Sequence, residues 1–251
     1  MSNSPARIHL LDELRGFAVL LMIGYFFLKI LALLSPTQQN LSLIDAVNPY
    51  QPILPILFVS ISGMAIQMSR HAIKRGLVLT VLSIVFTLVS LVVLSGTPIY
   101  FGILHQLAFC VLFCLAVHPL LGYISPVVGF IFSLAIFILT YPVSDGYIGF
   151  QGLVSIDITA LQGDNVLLYP LGLLSTPLST FDYFPIFPWF FLFLAFTFVG
   201  TYAAEGRFPE WTTKMHLRPL AFVGRHSLLI YVLHIPLLYG LLWLLTTIGI
   251  L

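Results

Sequence analysis

Seven stretches of this chain are long and apolar enough to cross a lipid bilayer, and this pattern limits the fold before any other residue is considered. A hydrocarbon core of about 30 Å takes roughly 20 mainly apolar residues per helix. Within it every backbone N–H and C=O must be satisfied inside the chain, which a helix does along its own length. The predicted helices cover 15–34, 53–69, 77–94, 101–117, 126–141, 187–203 and 226–248. Ser35-Pro36, Gly96-Thr97-Pro98, Ser125-Pro126 and Tyr141-Pro142 punctuate their ends. Composition agrees, since 59% of residues are hydrophobic and 8% are charged, against about 25% charged in soluble domains. The expectation is an all-α polytopic membrane helix bundle, one domain over 1–251, with a long outer loop at 142–186. The stretch 17–34 exceeds a signal-peptide core of about 7 to 15 residues and is read as an anchor.

Orientation follows from the basic residues. Arg7 and Arg15 precede helix 1, Arg70, Lys74 and Arg75 join helices 2 and 3, and Arg207, Lys214, Arg218 and Arg225 join helices 6 and 7. With seven helices all of these fall on one side, which the positive-inside rule makes cytoplasmic. The opposite loops carry Asp45, Asp145, Asp157, Asp164 and Asp182. The N-terminus is therefore expected inside and the C-terminus outside, in a multi-pass membrane protein. Lys29 is the exception, in the outer half of helix 1, as an interfacial anchor or as the lining of a cavity. A net charge of +1 provides no field to attract nucleic acid. The expected partners are membrane lipids and other membrane subunits.

Ionisable groups inside a span are functional candidates, and His105 and His234 are the histidines in or near hydrocarbon. Each is a candidate general base or a histidine satisfied by interhelical hydrogen bonds. As a pair on two helices they also raise bis-imidazole haem ligation, against which their offset depths weigh. Asp182, just before helix 6, either orients a histidine or substrate hydroxyl, or caps a helix. On the cytoplasmic side Arg15, Arg225, His226 and Ser227 stand at helix starts, where phosphate is favoured; the positive-inside rule alone also accounts for the arginines. Cys110 and Cys114 share one helix face and are read as packing. No metal site is expected, and neither a Walker loop nor a Gly-x-Ser-x-Gly elbow is present.

Four segments occur in order from helix 1 to helix 7: Leu11-Asp12-Glu13-Leu14-Arg15-Gly16, Phe101-Gly102-Ile103-Leu104-His105-Gln106, Asp182-Tyr183-Phe184-Pro185-Ile186-Phe187-Pro188-Trp189, and Gly224-Arg225-His226-Ser227-Leu228 continuing through Tyr231, His234 and Pro236. Together they resemble the bacterial branch of the heparan-alpha-glucosaminide N-acetyltransferase-like family, among the transmembrane acyltransferases. The resemblance implies transfer of an acetyl group from cytoplasmic acetyl-CoA to a sugar amine or hydroxyl on the outer side. It also implies a histidine late in helix 1 followed four residues on by an aspartate. These positions fall on Phe26 and Ile30, and the family's His-Gln-Pro reads His234-Ile235-Pro236. Two readings follow. In one, His105 or His234 serves as the base, with Asp182 nearby, and the protein is an active acyltransferase. In the other, favoured here, the scaffold is a pseudoenzyme acting as a binding or assembly subunit.

Overall fold

The computed structural model describes residues 7–94, 96–176 and 178–249. Its helices are α1 (His9–Leu34), α2 (Gln38–Val47), α3 (Ile53–Ile66), α4 (Ala72–Val93), α5 (Ile103–Leu121), α6 (Pro126–Thr140), α7 (Ile186–Ala204), α8 (Arg218–Arg225) and α9 (Ser227–Thr247). A two-stranded antiparallel hairpin, β1 (Tyr147–Phe150) and β2 (Val154–Asp157), lies in the long loop. Among the described residues six helices are long and apolar enough to cross a membrane, and the protein is a multi-pass, all-α helix bundle. The predicted second span is the point of difference. It contains α3, with only 14 residues, and the preceding 38–50 segment meets α3 at a 41° bend; counted as one broken span, this pair makes seven.

Two more elements depart from the sequence reading. α1 starts at His9 rather than at 15, because Asp12 and Glu13 are taken up by partners instead of ending the helix in water. The predicted last helix is preceded by a separate short one, α8, and the chain leaves helical geometry at His226 before α9 begins.

The chain divides into two compact units, Met1–Ile61 with Phe208–Leu251, and Ser62–Arg207. In the first, α1 packs on α8 and α9. The α1 to α8 crossing depends on two glycines. A Cβ at Gly16 would lie 2.0 Å from the Leu220 carbonyl oxygen, and one at Gly224 would lie 1.7 Å from that of Asp12. Backbones can meet this closely only where neither helix carries a side chain. Beside the crossing, Asp12 accepts from Arg7 Nε at 2.9 Å and pairs with Arg15 at 3.3 Å. Glu13, 5% exposed, accepts the His216 and Leu217 N–H groups at 2.6 and 2.9 Å. Farther along α1, the Tyr25 hydroxyl donates to Asn48 Oδ1 at 3.1 Å and so ties the turn after α2 to α1.

In the second unit α4 pairs with α5, and α6 with α7. Gly63 and Gly200 let α3 and α7 approach at backbone distance, with Cβ positions 2.3 Å from the Phe193 carbonyl oxygen and 2.5 Å from that of Met64. Gly129 of α6 seats the Phe198 ring. Phe109, Phe113 and Phe190 pack as one aromatic cluster between α5 and α7.

Gly16→Ala is expected to destabilise the protein by about 1–3 kcal/mol or more, as overpacking does when backbone is the obstacle. A Cβ at Gly24 meets nothing within 4 Å, so Gly24→Ala should leave stability unchanged or raise it by up to about 1 kcal/mol. Thermal unfolding of both variants in one detergent distinguishes the two outcomes.

Candidate functional site

His105 stands in the first turn of α5, and its surroundings begin with two hydroxyls on α4. The Ile99 N–H donates to Ser90 Oγ at 2.9 Å, and Thr87 Oγ1 donates to the Ile99 carbonyl at 2.8 Å. Thr87 and Ser90 lie three positions apart and share a helix face, so together they satisfy both backbone groups of a residue that is 1% exposed. His105 Nε2 lies 3.2 Å from Thr87 Oγ1. The Thr87 proton is already engaged, so the hydroxyl accepts here and Nε2 carries the imidazole proton. His105 Nδ1 then holds a lone pair, and this atom is buried without a hydrogen-bond partner. The Phe101 ring lies alongside, with 5.6 Å between centroids.

Asp182 takes the capping role, at α5 rather than at the helix it precedes in sequence. Its Oδ2 accepts the Ile103 N–H at 3.2 Å. The residue before Ile103 is Gly102, which has no side chain to cap with, and a Cβ there would lie 2.7 Å from Asp182 Oδ2. Around Asp182 the Phe181 N–H donates to the Thr97 carbonyl and the Phe184 N–H to that of Phe101, at 3.1 and 3.0 Å. These bonds fasten the end of the long loop to the start of α5.

The loop adds a tyrosine pair. Tyr183 stacks on Tyr169 with centroids 4.4 Å apart, and its hydroxyl donates to the Tyr169 carbonyl at 2.6 Å. Burial pushes the Tyr169 phenol up to about 12, with Asp182 adding in the same direction. Burial, then Tyr169, raises that of Tyr183 as well.

His234 belongs to the other unit and is 4% exposed. Its Nδ1 lies 2.5 Å from the Tyr231 carbonyl oxygen. A carbonyl only accepts, so Nδ1 carries the proton and Nε2 the lone pair, and Nε2 is buried without a hydrogen-bond partner. The imidazole packs at 5.2 Å and 64° against the ring of Phe26, the position where the resemblance expects a histidine. Lys29 Nζ lies 5.9 Å from the Phe26 centroid and 6.0 Å from that of Tyr25, within cation–π range. Ile30 is fully buried.

The residues read as a phosphate site are engaged locally. Arg15 is paired with Asp12, and its side chain is 18% exposed. Arg225 Nε donates to the Ala221 carbonyl at 3.1 Å, and the exposed His226 bonds the Phe222 carbonyl through Nδ1 at 2.9 Å. Ser227 is the first residue of α9. In the second unit, a recess of about 560 Å³ is lined in part by Arg70, His71, Lys74 and Leu77. From sequence these basic residues were read for topology alone, and nothing in their spacing indicated a recess. Thr87, Ser90 and Glu13 were also missed, since hydroxyls in an apolar helix and a carboxylate near a helix start are common without such roles. Among the described residues no group of three or more His, Cys, Asp or Glu side chains is arranged to hold a metal ion.

Asp182→Ala should cost about 0.5–2 kcal/mol of stability, whereas Asp182→Asn, which still accepts the Ile103 N–H, should cost a fraction of that; melting temperatures of the pair test the capping role. The raised tyrosines predict an alkaline transition. Their neutral forms are favoured in the folded loop, so that contribution is intact below the ordinary phenol value of about 10 and is lost as pH rises through about 12. Phenolate absorbance should show a late-titrating component that loses one tyrosine's share in Tyr169→Phe, while that of Tyr183 remains.

Comparison with known families places these features in context. Residues 7–236 match the model of the heparan-alpha-glucosaminide N-acetyltransferase catalytic region. No curated protein and no solved structure gives a significant match. The match runs from the start of α1 to Pro236 and so takes in both glycines of the α1 to α8 crossing, His105, Asp182 and His234. The chain therefore belongs to the heparan-alpha-glucosaminide N-acetyltransferase catalytic family, as an integral membrane protein of acyltransferase type.

Proposed function

We propose that this chain is a non-catalytic member of its family, acting as a subunit or binding partner in a larger membrane complex of a bacterial inner membrane. The observation that carries this reading is the contact between Phe26 and His234. Phe26, 6% exposed, fills the place where the resemblance expects a base, and its ring packs edge-on against the imidazole of His234, one of the two candidate replacements. A general base must reach the proton it abstracts within about 2.6–3.2 Å or through one water. His234 Nε2 is buried and meets no hydrogen-bond partner. Loss of general acid–base catalysis removes typically 10²–10⁴-fold in rate, enough to leave little useful turnover. The distribution of lysine and arginine supports an N-terminus inside and a C-terminus outside.

A second reading rests on His105. Its Nδ1 lone pair suits it to take a proton from an acceptor amine or hydroxyl as that group attacks the acetyl thioester. The new C–N or C–O bond forms, the C–S bond of acetyl-CoA breaks, and the proton passes to the departing thiolate.

Purified protein incubated with acetyl-CoA and amino-sugar acceptors decides between the two. The expected result is no transfer above background, together with recovery in a larger assembly under mild detergent. Turnover that is abolished by His105→Gln, from protein recovered only as a monomer, would overturn the subunit reading.

A further inference from the structure

The hairpin of the long loop is amphipathic in a way that neither the family nor the proposed role explains. Its register pairs Ile148 with Ile156 and Phe150 with Val154, which puts these four side chains on one face; Tyr147, Gly149, Ser155 and Asp157 occupy the other. Ile148 is half-buried, but the rest of the apolar face is uncovered: Phe150 is 49% exposed, Val154 74% and Ile156 63%, with Leu153 at the turn reaching 85%. A hairpin of two four-residue strands is marginal in water, and an apolar patch of this kind marks an interaction surface.

Chain connectivity identifies what covers it. The hairpin begins at Tyr147, two residues after the end of the Pro126–Asp145 span. Two residues reach at most about 7 Å, and each interfacial layer of a bilayer is about 5–8 Å deep. β1 therefore starts within the headgroup layer, next to Tyr141 at the end of α6, and tyrosine is enriched at that depth. From these observations we infer that the β1–β2 hairpin is a membrane-surface anchor, with Phe150, Leu153, Val154 and Ile156 in the interfacial layer and Ser155 and Asp157 toward water. No lysine or arginine occurs between 142 and 185, whereas Asp145, Asp157, Asp164 and Asp182 do. The attachment is thus apolar and takes zwitterionic lipid; it needs no anionic headgroup.

The test uses the full chain in phosphatidylcholine vesicles. Cys110 and Cys114 are 0% and 1% exposed, so a nitroxide reagent reports on an added cysteine. Leu153→Cys, Val154→Cys and Ser155→Cys are labelled, and collision with oxygen, which concentrates in lipid, is compared with collision with a water-soluble nickel chelate. The oxygen-to-nickel ratio is expected to be several-fold higher at 153 and 154 than at 155, and unchanged when phosphatidylglycerol is added. Free access of the chelate to all three positions would overturn the anchor and leave the hairpin in water. Protection of 153 and 154 from both reagents would also overturn it, in favour of a covering protein.

Discussion

Backbone groups that cannot reach water must find a partner in the chain, and the side chains that meet this requirement at the helix ends organise both compact units. Glu13 takes two N–H groups at the approach to α8. Asp182 takes the first N–H of α5. Ser90 and Thr87 take the N–H and the carbonyl of Ile99 in the turn between α4 and α5. In each case a buried oxygen does the work that water does for a soluble helix, and leaving such a group unpaired costs about 1–3 kcal/mol. These side chains are therefore first of all structural, and their chemistry is constrained by the bonds they already make.

The same constraint decides the state of both buried histidines. Thr87 has committed its proton to a carbonyl, so His105 must donate to it and keeps Nδ1 free. The Tyr231 carbonyl holds the proton of His234 on Nδ1 and leaves Nε2 free. The two imidazoles thus have opposite tautomers for local reasons, and each keeps one unpaired nitrogen. What differs is the neighbour: the Phe26 ring at His234, and the aromatic and hydroxyl-lined start of α5 at His105.

Long apolar runs and their proline and glycine boundaries were readable because lipid imposes them locally. The family resemblance rested on short segments that remain contiguous, and it pointed to Phe26 and Ile30. Contacts across the chain had no such signature. Asp182 meets Ile103 across 79 positions and Glu13 meets His216 across 203, so the sequence shows Asp182 only beside the helix it precedes, as a cap or an orienting group, and Glu13 only as part of a family segment. α2 was missed because Gln38, Gln39, Asn40 and Ser42 interrupt any apolar run, although Thr37 caps it. The bend lies just before the apolar run that begins at 53, so hydropathy registers α3 without the polar 38–50 segment that forms the rest of the broken span.

The glycine crossing of α1 and α8 has a consequence for how such a protein changes over time. Gly16 and Phe26 lie about 15 Å apart along one helix, so the level of the α1 to α8 crossing is separate from the level at which the resemblance expects a base. A side chain added at 16 collides with backbone, whereas replacing one side chain by another at 26 leaves that crossing untouched. Architecture is thereby under a stricter filter than reactivity. A lineage can exchange its reactive groups for packing groups and still be recognised as kin from end to end.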